Sequence, residues 1–323
     1  MKTSAPHTTR RTSSGVTLIE LMVALVIGLI LVAGAVTVYT QSRSTYRITE
    51  TAARLQEVAR YAMDTIEPDV RLAGFWGLTN SATLIENAAT PTDAPQPVAT
   101  GLTNNCGTNW IVDVGRFLDA RDAPATGGAG YNLACPATSA RNTSDVLIVR
   151  RASSDLRAPR NTRAQVQTNR MRGVIFNDGV VPAGFGASPA SETRDLIIHA
   201  YYVSNQGVAP NGLQQFQLRR QTLVAGGIQD TEIIPGVEDL QVQFGLDVNG
   251  DGNADRYVNA GAVPTNARIA SARIWLRVVA EDQEVGYVNP TTYQYANITA
   301  FTPADNRRRV VFSKTIQVRN SRP

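Results

Sequence analysis

The sequence predicts an α+β protein: one long N-terminal helix packed on a C-terminal antiparallel β-sheet domain that carries a loop-rich insert. Three observations carry this. An uncharged run of about eighteen residues, Leu21 to Val38, follows a short basic leader and is long enough to cross a bilayer as a helix. An apolar period of three and four residues then continues to Ile66. Beyond Gly74 that period is lost, and from Asp145 onward β-type alternation dominates.

The helix comes first. After the apolar run, polar residues return at Gln41, Arg43 and Arg47. Ala52, Leu55, Ala59, Ala62 and Ile66, with Val58 on the shoulder, form one apolar face, and Glu50, Arg54, Glu57, Arg60 and Asp64 form the other. Glu50 with Arg54 and Arg60 with Asp64 stand four apart and pair weakly in solvent. No Gly or Pro interrupts Ala35 to Glu67, so the pattern predicts one helix from about Thr17 to Glu67, about 75 Å long. Pro68 is expected to end or kink it, with Asp69 to Ala73 adding a turn before Gly74. Three segments follow: a leader at 1–15, a helical segment at 16–73 with about 18–40 in the membrane, and a β-rich globular domain at 74–323.

Gly74 to Arg141 is rich in turn formers, with apolar islands at Phe75-Trp76 and Trp110-Ile111-Val112, and reads as a loop-rich insert over about 78–140. Expected strands are Asp145–Arg151, Asp195–Ser204, Leu213–Val224, Glu238–Leu246, Arg268–Ala280 and Arg308–Arg319. Leu196, Ile198, Ala200 and Tyr202 alternate onto one side, and Pro210-Asn211-Gly212 is turn chemistry between the second and third strands. Cys106 and Cys135 fit one disulfide in an oxidising exterior, stapling a Gly- and Ala-rich loop that buries little.

Charge places the ends. Lys+Arg number 31 against 27 Asp+Glu, but Lys2, Arg10 and Arg11 belong to the leader, and without them the balance is 28 to 27. A near-neutral domain gives no basic footprint, so nucleic acid is not an expected partner. The leader charges read as a cytoplasmic flank, with the C-terminal bulk outside the cytoplasm. A carboxylate at Glu20, on the edge of the apolar run, needs either the headgroup level or a partner.

Gly15-Val16-Thr17-Leu18-Ile19-Glu20-Leu21 resembles the type III signal of type IV pilins and type II secretion pseudopilins. The resemblance implies cleavage after Gly15 by a prepilin peptidase, methylation of the new N-terminus Val16, and contact between Glu20 and the ammonium of a neighbouring subunit. The family usually begins its mature chain with Phe; here the residue is Val16. Arg71 to Gly77, Gly236 to Gln241 and Arg307 to Ser313 are similar to segments of PilW-type minor pilins. That implies a pilin-like fold and a single-pass inner-membrane protein with its C-terminal domain in the periplasm, incorporated into a pilus. Its partners would be other minor pilins, the major pilin and a tip adhesin, and its role pilus assembly that supports motility, adhesion or DNA uptake. Two rivals are a type II secretion pseudopilin and a membrane-anchored calcium-binding exported protein or enzyme.

Asp247, Asn249, Asp251, Asn253 and Asp255, with Gly252 between, reproduce most of an EF-hand-type calcium loop, but Val258 stands where the full pattern has Glu. Calcium in a loop between strands and a plain Asp/Asn/Gly turn are both open readings. No organic cofactor is expected, since no phosphate-binding glycine pattern occurs. Nor is catalysis: past the leader His199 is the one histidine, placed in an apolar strand, and no Gly-x-Ser-x-Gly elbow exists. The arginine runs at Arg150-Arg151, Arg219-Arg220 and Arg307–Arg309 read as solvated faces or edge-strand charges.

Overall fold

The computed structural model describes residues 15–96, 108–122, 140–185, 190–264 and 267–321. The chain forms two compact units, Met1–Thr51 and Ala52–Pro323. One helix, α1 (Leu18–Leu72), begins in the first and ends in the second. Thr17 caps its start, where the Thr17 Oγ1 accepts the Glu20 N–H at 3.3 Å. In the first unit the apolar window is long enough to cross a membrane, and none of it is buried within the chain.

In the second unit α1 buries Leu55, Ala59, Ala62, Met63, Ile66 and Val70. Each large apolar side chain so placed contributes about 1.5–3 kcal/mol relative to exposure. Ala52, expected on this face, is exposed, because the core that the face meets begins at Leu55. The helix also runs through Pro68 instead of stopping there. The proline ring is exposed, and buried Asp69 and Val70 anchor the following turn, offsetting the hydrogen bond the ring forfeits. Gly74 then ends the element at φ +73°, and a Cβ there would meet the Phe117 ring at 3.0 Å.

Among the described residues fourteen strands follow: β1 (Ile85–Glu86), β2 (Leu118–Arg121), β3 (Val146–Ala152), β4 (Asn161–Thr168), β5 (Gly173–Asp178), β6 (Glu192–Val208), β7 (Gln214–Val224), β8 (Gly227–Pro235), β9 (Val237–Asp247), β10 (Arg256–Asn259), β11 (Arg268–Val279), β12 (Tyr293–Tyr295), β13 (Ile298–Phe301) and β14 (Arg309–Gln317). The six expected strands are β3, β6, β7, β9, β11 and β14. An eight-stranded sheet runs β1-β5-β4-β6-β3-β2, with β7 and β8 added beside β6. It is antiparallel except where β1 pairs parallel with β5. A second, four-stranded antiparallel sheet runs β10-β9-β11-β14, and β12 and β13 form a separate hairpin.

Two cores result. The first joins α1 to Leu147, Val149, Tyr201, Val203 and Leu218 of the larger sheet and to Val242, Phe244, Ile274, Leu276 and Ile316 of the smaller. The second lies on the larger sheet's other face, where Leu196, Ile198, Ala200 and Tyr202 meet Trp76, Trp110, Ile111 and Val112. Strand β6 is therefore buried on both faces, not one. The insert is more than loop, since its Trp110–Val114 stretch covers the second face.

Candidate functional site

Gly15 and Val16 precede α1 and are exposed. Glu20 sits in the first helical turn, also exposed, and its carboxylate has no partner among the described residues. A carboxylate costs about 2.5–3.5 kcal/mol at the centre of a membrane helix and less toward its end. Proximity to the helix N-terminus returns about 0.3–1 kcal/mol. The dipole alone leaves most of such a cost standing, so a Glu20 drawn into lipid calls for a cation from outside its own chain.

The far end of α1 is treated in the opposite way. Asp69 is buried, and Arg151 from β3 donates to its Oδ1 through Nη2 at 2.8 Å and Nε at 3.1 Å. From β6, His199 Nδ1 and the Tyr201 hydroxyl both meet Asp69 Oδ2. Burial opposes ionisation here, but the His199 hydrogen bond and charge, with Arg151 and Tyr201, outweigh it and hold the Asp69 carboxyl well below the usual range. Burial and the neighbouring carboxylate push the Tyr201 phenol up. Lys314 on β14 meets Glu67, two residues earlier on the helix, at 2.5 Å. The helix tail is thus bolted to both sheets by charge as well as by packing. His199 serves as part of that bolt, as a hydrogen-bonded structural histidine would.

A second buried charge cluster joins the smaller sheet to the β12–β13 hairpin. Glu238 Oε2 accepts from Arg277 Nε and Arg309 Nε, each at 2.8 Å. Asp239 Oδ2 accepts the Tyr295 hydroxyl at 2.6 Å, and Arg277 lies 3.7 Å from the centre of the Phe301 ring. Asp305 chelates Arg309 at 2.5 and 2.7 Å. Burial works against the Glu238 charge, yet Arg309, Arg277 and Arg141 win and lower its pKa. For Asp239 burial prevails and the pKa rises.

These contacts correct the reading of the arginine runs as solvated. Arg150 is 1% exposed, donates to the Trp110 and Arg116 carbonyls at 3.1 and 2.7 Å, and is lowered to about 10 by burial. Arg307 is buried and bonded to the Ala280 and Gln214 carbonyls, and the Arg309 side chain is buried between Glu238 and Asp305. Arg219 and Arg308 keep the expected partial exposure, each beside a carboxylate. A planar guanidinium satisfies several acceptors at once, which is how so many can be buried. The sequence signal was present in the acidic partners Glu238 and Asp239, which sit beside Val237, Leu240 and Val242 in one strand.

The acidic loop joins β9 to β10. Asp247 accepts the Gly250 N–H at 2.6 Å and the Gly252 N–H at 3.0 Å, and Asp255 accepts from Val248 at 2.7 Å. Asn249 Oδ1 accepts from Asp251, while Asn249 Nδ2 reaches Asp255 Oδ1 at 3.1 Å and Asp251 Oδ2 at 3.5 Å. Asn253 N–H donates to Asp251 Oδ1 at 2.7 Å. Hydrogen bonds to backbone amides and to Arg268 outweigh desolvation and lower the Asp247 pKa. The five residues are gathered in one turn that supports itself. Among the described residues no three His, Cys, Asp or Glu side chains are grouped as a metal site. Cys106 and Cys135 lie outside the described residues.

Comparison with known proteins bears on both ends of this arrangement. The family model described as Prokaryotic N-terminal methylation motif matches residues 10–36, spanning Gly15, Val16, Glu20 and the apolar run. The model described as Type IV Pilus-assembly protein W matches residues 200–320, from the second half of β6 through β14. The chain thus carries a type IV pilin-type motif at its N-terminus and a PilW-like region at its C-terminus. The matched C-terminal stretch contains Tyr201, Glu238, Arg277 and Arg309, so it spans the partners that clamp the smaller sheet. A type IV-like pilin from Thermus thermophilus aligns in structure with 14% sequence identity and a TM-score of 0.26, covering 56% of this pilin and 82% of that chain. No curated protein matches. These two likenesses point to a membrane context and to association with other pilus components.

Proposed function

We propose that this pilin is processed after Gly15 and acts as a minor pilin in the assembly of a type IV pilus. In this reading the Leu21–Val38 run holds it in the inner membrane with the globular domain in the periplasm. Val16 carries the methylated ammonium, and Glu20 contacts the ammonium of a neighbouring pilin. Other minor pilins, the major pilin and a tip adhesin are the partners of a priming complex, and motility, adhesion or DNA uptake follow from the pilus. The observation that carries the reading is Glu20: a carboxylate beside an entirely unburied apolar window, within a methylation-motif match, with no partner among the described residues. The match to the pilus-assembly family over 200–320 favours the pilus over a secretion machine.

The domain works as a scaffold with no catalytic task, its buried charges being spent on each other. The loop at 247–255 stiffens the β9–β10 turn, and weak calcium binding by Asp247, Asn249, Asp251, Asn253 and Asp255 adds to that. Support for calcium comes from the spacing of the oxygen donors along the loop. The assembly reading is tested with Glu20→Ala: we expect a folded, membrane-inserted protein whose amount in sheared pili falls at least tenfold. Normal incorporation would remove the charge-pairing role.

A further inference from the structure

Strand β14 is the outer strand of the smaller sheet, and among the described residues no strand pairs with its far edge. Its register against β11 runs from Ser271–Gln317 to Val279–Arg309 without a shift. The Arg308 carbonyl accepts from Ala280, and Val318 N–H donates to the Ala270 carbonyl, so the even-numbered residues face β11. The N–H and C=O of Val311, Ser313, Thr315 and Gln317 must then point away from the sheet. Arg319 N–H, next in that set, turns outward to the Arg71 carbonyl. Ser313, Thr315 and Gln317 are exposed. The devices that normally blunt an edge are absent, since β14 has no proline and no bulge, and its Lys314 is held by Glu67.

The side chains specify what would fit. On the core side, Ile316 is buried while Phe312 is left 38% exposed at the sheet's margin. On the outer side Arg273 lies 3.9 Å from the centre of the Tyr257 ring and donates to Thr315 Oγ1 at 3.2 Å, with no ion-pair partner among the described residues. No acidic residue lies within β14, so two copies of this edge would bring like charges together.

We propose that the free edge of β14 accepts an extended strand from another subunit of the assembly, apolar on the side of Phe312 and carrying a carboxylate that reaches Arg273. Main-chain hydrogen bonds to the odd-numbered residues supply the pairing, and Phe312 and Arg273 supply the choice of partner. This rests on the assembly reading above, but its test needs no pilus.

The probe is a fluorescent nine-residue peptide alternating Val with Glu, titrated against the full chain in detergent micelles, beside a peptide with Lys in place of Glu. Saturable binding of the Glu peptide is expected, at least tenfold weaker to Ser313→Pro, which removes an outward N–H and leaves the ladder to β11 intact. Arg273→Glu is expected to switch preference to the Lys peptide. Equal binding by wild type and a folded Ser313→Pro chain, or no saturable binding, overturns the proposal. Hydrogen exchange on the wild type is independent of how that variant folds. The Glu peptide should slow the amides of Val311, Ser313, Thr315 and Gln317 at least tenfold while leaving Phe312 and Lys314 unchanged. Exchange that stays the same overturns the proposal, and so does protection that appears without peptide as protein concentration rises, which would make the occupant a second copy. Loss of the assembly reading would register separately, as an unprocessed N-terminus with peptide binding intact.

Discussion

Glu20 and Asp69 are two carboxylates on one helix with opposite surroundings. Asp69 is buried and meets Arg151, His199 and Tyr201, so its charge is answered within the chain. Glu20 is exposed beside an apolar span and is answered by nothing among the described residues. The difference separates two kinds of polar group in an apolar setting. One that is fully partnered secures the fold, and one that is left open awaits another molecule. The same contrast recurs within the smaller sheet: the Glu238 cluster closes on itself, whereas the odd-numbered amides of β14 face outward with no strand beside them among the described residues.

The largest effect expected from this contrast is on stability. Asp69→Ala leaves Arg151 without its counter-charge and His199 without its hydrogen-bond partner in a buried site, which costs about 3–5 kcal/mol. A thermal melt should fall by roughly 6–15 °C for a domain of this size. Glu20→Ala should leave the same melt unchanged. Equal shifts for both variants would erase the distinction between them.

Acid should weaken the fold next. The folded pKa of Asp69 lies below its unfolded value of about 3.9, so the stability it provides is present above that pH and is lost as pH falls toward the folded value. Glu238 acts in the same direction, while Asp239, with its raised pKa, offsets part of the loss. Urea midpoints at about pH 6 and about pH 3 should differ, and Asp69→Asn should shrink the difference. An undiminished difference in that variant would place the acid sensitivity elsewhere.

Calcium should do least. At ten times its dissociation constant one bound ion adds about 1.4 kcal/mol. The expected constant is in the high-micromolar to millimolar range. A small rise in melting temperature, abolished in Asp251→Asn, fits the calcium reading; a flat titration would leave the loop as a hydrogen-bonded turn.

Much of this was legible in the residues, because periodicity reports burial. The helix with its Leu55–Ile66 face and the six main strands followed from apolar spacing. The motif at Gly15–Leu21 marked the N-terminal segment through residue type alone. Strands β4, β5 and β8 were missed because they are short or polar: β8 carries Asp230 and Glu232 in the open, on a sheet edge. The Asp69 bolt was illegible for a different reason. Its partners lie 82, 130 and 132 residues away along the chain, and nothing local distinguishes a charge that will be buried from one that will be solvated. The same limit turned Arg150, Arg307 and Arg309 into apparent surface charges.

The central claim is that the N-terminus ends at Val16 and that Glu20 works between subunits. The most direct measurement is mass spectrometry of the N-terminal peptide in membrane and sheared-surface fractions, from cells with and without active prepilin peptidase. A methylated peptide beginning at Val16, present in sheared pili and absent without the peptidase, is the expected result. An intact leader, or cleavage beyond the apolar span, would contradict the account.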